Sequence, residues 1–277
     1  MAEYISFQPS DFYSTKIYTG TGASQNITGV GFDPNLVWIK IRSTTNNPVV
    51  FDTVRTATKA LYTDITAAEA TEASGLTAFI TDGWTGGGSN ITNGGSGKTY
   101  VCWNWKAGTT TVPSGGSITP SAVSLNTTSG ISIISYTGTG DTSNTIAHGL
   151  GAVPKMMIFK NRDATMDWVV YHEALGNTDY MVLNTTGAAA ASTSRWNDTS
   201  PTSTLFTIGN TDKLNSSGVD YIGYVFADVK GYSKMGSYTG NGNADGTFVY
   251  TGFRPSFVMV KKTAGESWAI IDDKRLG

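Results

Sequence analysis

Gly94-Gly-Ser-Gly97-Lys98-Thr99 has the residue types found at the end of a phosphate-binding loop. In such a loop, backbone N–H groups at a helix start cradle phosphate oxygens and the Lys reaches the outer phosphates. The full pattern also needs a Gly five residues before Gly97, where Thr92 stands, and a helix after it. Tyr100-Val-Cys-Trp103 follows instead and reads as a strand. A nucleotide site is not supported.

The other candidates for chemistry are few. His148 and His172 have no second His, Cys or carboxylate at metal-ligand spacing. No Gly-x-Ser-x-Gly elbow marks a nucleophile, and no spacing marks a pair of catalytic carboxylates. The turn at 242–246 carries oxygen ligands, but one Asp is thin for calcium. A single Cys102 allows no intrachain disulfide and no Cys-based metal site. The sequence therefore offers no catalytic residue, cofactor site or metal site, and the chain reads as a non-enzyme. Two loop aromatics stand apart. Trp84 lies in Asp82-Gly-Trp-Thr-Gly-Gly-Gly88, and Trp196 in Ser194-Arg-Trp-Asn-Asp198. Exposed, either could stack on a sugar face; otherwise each plugs the edge of a sandwich. Trp38, Trp103 and Trp105 sit inside apolar strands and read as core.

The elements that must position these residues recur. Tyr18-Thr-Gly-Thr-Gly22, Gly31-Phe-Asp-Pro34, Leu36-Val-Trp-Ile-Lys40 and Val50-Phe-Asp52 form a first pass. Tyr136-Thr-Gly-Thr-Gly140, Gly151-Ala-Val-Pro154, Met156-Met-Ile-Phe-Lys160 and Trp168-Val-Val-Tyr-His172 form a second. Tyr238-Thr-Gly-Asn-Gly242, Gly252-Phe-Arg-Pro255, Phe257-Val-Met-Val-Lys261 and Trp268-Ala-Ile-Ile-Asp272 form a third. The prolines are offset by 120 and then 101 residues, so each pass is a small domain rather than a solenoid turn. The first two passes close on matching strands, Gly97–Trp103 and Gly218–Tyr224, and the third stops at Gly277 before one. Two outcomes are expected for it: a neighbouring subunit supplies the missing strands, or it packs on the second pass as a partial sheet.

Composition agrees with an all-β chain. Gly counts 33 and charged residues are only 14%, while aromatics reach 11% inside periodic runs. Leu36–Ile41 is apolar on both faces, as a covered central strand should be. Val49–Phe51, Leu76–Ile80 and Lys98–Lys106 read as further strands. Val101, Trp103 and Trp105 fall on one face, with Ile222, Tyr224 and Phe226 as their counterparts. Residues 66–74 are expected to form one surface turn of helix, and 107–119 a linker. The expected fold is a row of antiparallel β-sandwich modules of jelly-roll or lectin-like type. An arm at 1–15 precedes repeats at 16–112 and 113–230 and a partial repeat at 231–277. Net charge is −2 without a basic stripe, so nucleic acid is not an expected partner. No apolar run is long enough to span a membrane, and no signal peptide is visible.

Phe12-Tyr-Ser-Thr-Lys-Ile-Tyr-Thr-Gly-Thr-Gly22, Gly31–Lys40 and Gly231–Val258 resemble a repeat family of tailed, often marine, bacteriophages. Its members are described as virion structural or tail-fibre proteins. The resemblance implies a particle component made in the host bacterial cytoplasm, as a capsid decoration protein or fibre. Its partners would be other virion proteins and further copies of itself. A carbohydrate-binding adhesin that grips host surface glycans is the alternative. The family supplies no catalytic or binding residues to carry over.

Overall fold

The structure, a computed structural model, describes residues 6–95 and 97–275. The start of the expected arm, residues 1–5, and Ser96 of the Gly-rich run lie outside the described residues. Along the first pass run β1 (Tyr13–Thr19), β2 (Gln25–Ile27), β3 (Leu36–Ile41), β4 (Val49–Asp52) and β5 (Lys59–Tyr62). They are followed by β6 (Ala70–Thr71), β7 (Leu76–Ile80), β8 (Gly83–Gly86) and β9 (Thr99–Trp105). Along the second run β10 (Ala122–Asn126), β11 (Ile131–Thr137), β12 (Ser143–Ala147), β13 (Pro154–Asn161) and β14 (Val169–His172). Then come β15 (Asp179–Val182), β16 (Ala190–Ala191), β17 (Leu205–Gly209) and β18 (Asp220–Ala227). The third holds β19 (Phe257–Val260) and β20 (Ala269–Asp272).

The fold is all-β and antiparallel. Strand order is β1-β9-β3-β4-β5-β6 in one large sheet and β10-β11-β18-β13-β14-β15-β16 in the other. Apart from the extra edge strand β10, the two orders match at corresponding places in the repeated phrases. Small sheets β2-β8-β7 and β12-β17 accompany them, and β19 and β20 form a two-stranded sheet among the described residues.

Each large sheet is buried on both faces, and the period of two along a strand decides what each face meets. In β3, Val37, Ile39 and Ile41 join Trp84, Leu76 and Ile27 in a core shared with the small sheet. Leu36 and Trp38 point the other way. In β13, Met157 and Phe159 meet Ile146, Phe206 and Trp196 in a second core, while Ile158 points the other way. The opposite faces of both large sheets converge on one further core. It holds Val101 and Trp103 from β9 and Ile222 and Tyr224 from β18, with Trp105, Phe226, Phe257, Met259 and Trp268 packed against it. The face expected for Val101, Trp103 and Trp105 is therefore the one that joins the passes to each other.

The Gly-x-x-Pro phrases are strand entrances. Gly31, Gly151 and Gly252 have φ of 95°, 69° and 83°, a region open to Gly without the Cβ clash other residues meet. Pro34 and Pro255 stand two residues before β3 and β19, and Pro154 is the first residue of β13.

Two local expectations need correction. Residues 66–74 form no helix; Ala70–Thr71 pairs with Lys59 and Ala60 instead. Glu69 donates its N–H to Arg162 O at 2.8 Å, and its carboxylate pairs with the Arg162 guanidinium. Tertiary contacts here override a weak propensity. A four-residue helix, α1 (Thr193–Trp196), appears instead in the second pass, and left-handed Asn197 ends it. The stretch 107–119 is tied down rather than free, because Thr109 and Leu125 exchange two backbone hydrogen bonds of 2.9 Å.

Candidate functional site

Neither loop tryptophan offers a ring to solvent. Trp84 is 0% exposed in β8, edge-on to Tyr18, and Trp196 is 1% exposed. Trp196 donates its indole N–H to Asp179 O at 3.0 Å and packs against Phe159 and Tyr171. The glycines after Trp84 let backbone pack tightly: a Cβ on Gly87 would sit 2.5 Å from Ser74 O. Of the two readings open for these residues, their placement fits the sandwich plug and not the sugar-stacking ring.

The remaining candidates resolve into local structure. The Gly-rich run leads into β9, and Lys98 donates to Asn90 Oδ1 at 2.8 Å. His148 is buried, its Nδ1 accepting from Leu150 N at 3.2 Å. His172 ends β14, and its Nδ1 accepts from Ala174 N at 3.1 Å, a strand-end cap. Cys102 is buried, and burial pushes its thiol up to about 11, away from thiolate chemistry. Among the described residues no three His, Cys, Asp or Glu side chains gather in a way that could hold a metal ion.

What the fold does bring together is a repeated clasp. Asp52 ends β4 and Asp272 ends β20, at matched registers opposite Leu36 and Phe257. In both, the Arg three residues on donates its backbone N–H to Oδ1 at 2.9 Å. Its Nε donates to Oδ2, at 2.7 Å for Arg55 and 2.6 Å for Arg275. Its Nη2 returns to the strand, at Val50 O and Ile270 O. The remaining capacity of Oδ2 is taken by a closing strand of another pass. Asp52 accepts the Tyr224 hydroxyl at 2.7 Å, and Asp272 accepts the Trp103 indole N–H at 3.0 Å. Tyr224 and Trp103 hold the same place in β18 and β9.

Other contacts run in the same sense. Trp168 donates to Tyr62 O at 2.8 Å, and Trp268 donates to Val182 O at 2.9 Å. Lys160 Nζ donates to Thr66 O, and Lys261 Nζ to Thr185 O. Glu69 N donates to Arg162 O, and Ala189 N to Thr263 O, both at 2.8 Å. The first pass therefore holds the second, the second holds the third, and the Asp272 clasp returns the third to the first.

Electrostatics follow burial. For Arg55, burial opposes the charge, but Asp52, Tyr224 and Glu69 outweigh it and hold the guanidinium firmly protonated. Burial pushes the Tyr224 hydroxyl well above its usual range. Burial also raises Asp272, yet the Arg275 backbone N–H, the Trp103 indole and the Arg275 charge bring it below the usual carboxylate range. Lys160, 0% exposed among four carbonyl oxygens, is drawn down to about 8 by burial.

The relay leaves one step unfilled. In the second pass the clasp position holds His172 and Leu175 in place of Asp and Arg. In the large sheets, β3 lies between β9 and β4, and β13 between β18 and β14; among the described residues β19 has only β20 beside it. Along that side runs a cleft of about 1,910 Å³. Residues 233–239, which correspond to β1 and β11, form one wall, and β19 forms another. Met156, His172, Leu175 and Phe226 of the second pass also line it. Nearby, Phe248 and Tyr250 are 88% and 80% exposed. Sequence reading did not single out the clasp, although Asp52-Thr-Val-Arg55 and Asp272-Asp-Lys-Arg275 are visible as a shared Asp-x-x-Arg.

Comparison with curated proteins and with solved structures finds no match. Residues 8–277 match a family described as a domain of unknown function, DUF7483. The chain belongs to the DUF7483 family.

Proposed function

We propose that this protein is a bacteriophage virion structural protein, displayed on the particle as a capsid decoration or fibre component and acting by protein–protein contact rather than by catalysis. One observation carries the contact reading: large apolar side chains are exposed along the third pass, beside a cleft that residues of the second pass also line. Tyr238, Phe248, Val249, Tyr250, Val258 and Ile271 are all exposed in this one stretch. An exposed apolar patch of this kind suits a polypeptide partner better than a small polar substrate. The virion assignment rests on the resemblance of the Gly231–Val258 phrase and its earlier counterparts to phage particle proteins. Its partners on this reading are other virion proteins and further copies of itself. The adhesin alternative gains nothing from Trp84 or Trp196, which are both buried.

The test is labelling of intact particles with a gold-tagged antibody against this chain. Gold at regular positions on head or tail supports the assignment. Purified particles that lack the chain overturn it.

A further inference from the structure

We propose that Arg195 is a binding site for a carboxylate carried by a ligand, gripped by the Nε and Nη2 edge of its guanidinium. The site lies in the second pass, apart from the exposed face of the third. Arg195 belongs to α1 and is 9% exposed, with its guanidinium carbon 4.4 Å from the centre of the Tyr180 ring. Its one hydrogen bond among the described residues runs from Nη1 to Thr211 Oγ1, at 3.3 Å. Nε is buried without an acceptor, and Nη2 has none either among the described residues. The other arginines that the fold covers are matched. Arg55 and Arg275 hold aspartates, and Arg162 holds Glu69, whereas Arg195 forms no ion pair among the described residues. A buried charge is costly unless it is paired, and a buried N–H without an acceptor adds to that cost. Such a group in a native fold calls for a partner.

The fold itself does not require a cation here. Tyr180 pairs with Ala190 as Ala60 pairs with Ala70, and Ser194 O lies against Gly209 as Ser74 O lies against Gly87. The first pass therefore carries Ala60 and Gly75 where the second carries Tyr180 and Arg195. Ser89 stands in the place of Thr211, and the carbonyl of each accepts two backbone N–H groups at its turn. The first pass builds this corner without ring or cation, so Tyr180 and Arg195 are an addition to the module and not part of its frame. Nor does the corner belong to the junction between passes. The clasp and relay bonds of the first junction use residues 52–69 of the first pass, and Gly75 lies beyond them.

Arg162 shows what this edge of a guanidinium takes. Its Nε and Nη2 donate to the two carboxylate oxygens of Glu69, at 3.0 and 3.1 Å. That two-pronged grip matches the planar fork of arginine to the planar carboxylate. Arg195 has the same two donors, with the Thr211 hydroxyl at Nη1 and the Tyr180 ring against its face. The Nη1 bond is long, so the guanidinium can turn its Nε edge toward a ligand at little cost. The Tyr180 ring supports the cation through that turn.

The test is NMR of the 277-residue protein with isotope-labelled arginine side chains. The Arg195 Nε–H signal, assigned with Arg195→Lys, is followed while sodium acetate, glucuronate or N-acetylglutamate is added at constant ionic strength. Glucose and sodium sulfate are the controls. The expected result is a saturable shift of that signal with the carboxylates, at affinities about tenfold or more above that for sulfate, and no response to glucose. The exposed Arg42 and Arg254 should not respond. Tighter binding of glucuronate than of N-acetylglutamate would assign the carboxylate to an acidic sugar, and the reverse order to a polypeptide. Arg195→Met should abolish the accompanying amide shifts at Tyr180 and Thr211. An Arg195 signal that stays put, or that moves only in step with Arg42 and Arg254, overturns the proposal. A response to sulfate equal to that for the carboxylates overturns it too, as do amide shifts that persist in Arg195→Met.

Discussion

The Asp272 carboxylate accepts the Trp103 indole N–H at 3.0 Å across 169 residues of sequence. The Arg275 guanidinium lies 5.2 Å from the centre of the same indole ring, so Trp103 is held by its edge and by its face. This one contact ties the last hairpin back to the closing strand of the first sheet. Trp103→Phe keeps the bulk and removes the N–H. We expect a loss of about 1–3 kcal/mol, because a largely buried carboxylate oxygen forfeits a donor. Limited proteolysis should show the effect locally, as faster cleavage at Lys261 and Lys262 with the first sandwich intact.

The sister clasp should be the costlier one to break. Arg55 and Asp52 side chains are both fully buried, and Arg55 also reaches Glu69 at 3.2 Å. Arg55→Met leaves Asp52 facing Tyr224 without its cation. A loss of about 3–5 kcal/mol is expected, read as a lower urea midpoint. Tyr224→Phe should cost less, since Asp52 keeps both donations from Arg55.

Stability should fall in acid through identifiable groups. Asp272 and Glu69 are held below their ordinary values of 3.8 and 4.5; burial works against this, and their Arg partners outweigh it. Their folded forms thus bind protons less readily than the unfolded chain does. The stability they add is complete above the unfolded values and is lost as pH falls through the lower folded ones. Lys160 has the opposite consequence on the alkaline side. Its folded value of about 8 lies below the ordinary 10.5, so stability should rise with pH between the two. Urea midpoints from pH 3 to 10.5 check both arms, and Lys160→Met should flatten only the alkaline one.

Trp84 makes a structural prediction in place of a binding one. It fills the space between β3 and the small sheet, so Trp84→Ala should cost about 3–5 kcal/mol. Trp84→Phe should cost less. Neither should alter retention on a glycan array once corrected for the folded fraction.

Much of the fold was legible before the structure. Leu36–Ile41 and Leu76–Ile80 form strands over the expected residues because their apolar runs and Gly or Pro boundaries leave little choice. The shared face of Val101, Trp103 and Trp105 was legible from alternation alone. What that face meets was not, because a period of two gives the side of a strand and not its partner. The helix expected at 66–74 failed because Glu69 is recruited by Arg162, 93 residues away. For Trp84 and Trp196 the sequence left exposed and buried readings open, because loop signals such as the glycines beside Trp84 arise equally when backbone must approach backbone. The clasp escaped notice because the repeated phrases were compared only as far as Asp52, His172 and Asp272, and its Arg lies three residues beyond that position.

Hydrogen exchange tests the central claim most directly, by comparing three equivalent strands in the free protein. The account predicts strong protection of β3 and β13, each held on both sides. In β19, the N–H groups of Phe257–Val260 that do not bond to β20 should exchange quickly. Protection of β19 equal to that of β13 in the isolated monomer would contradict the pairing of Phe257–Val260 with β20 and the exposure of the apolar side chains beside it, on which the contact reading rests.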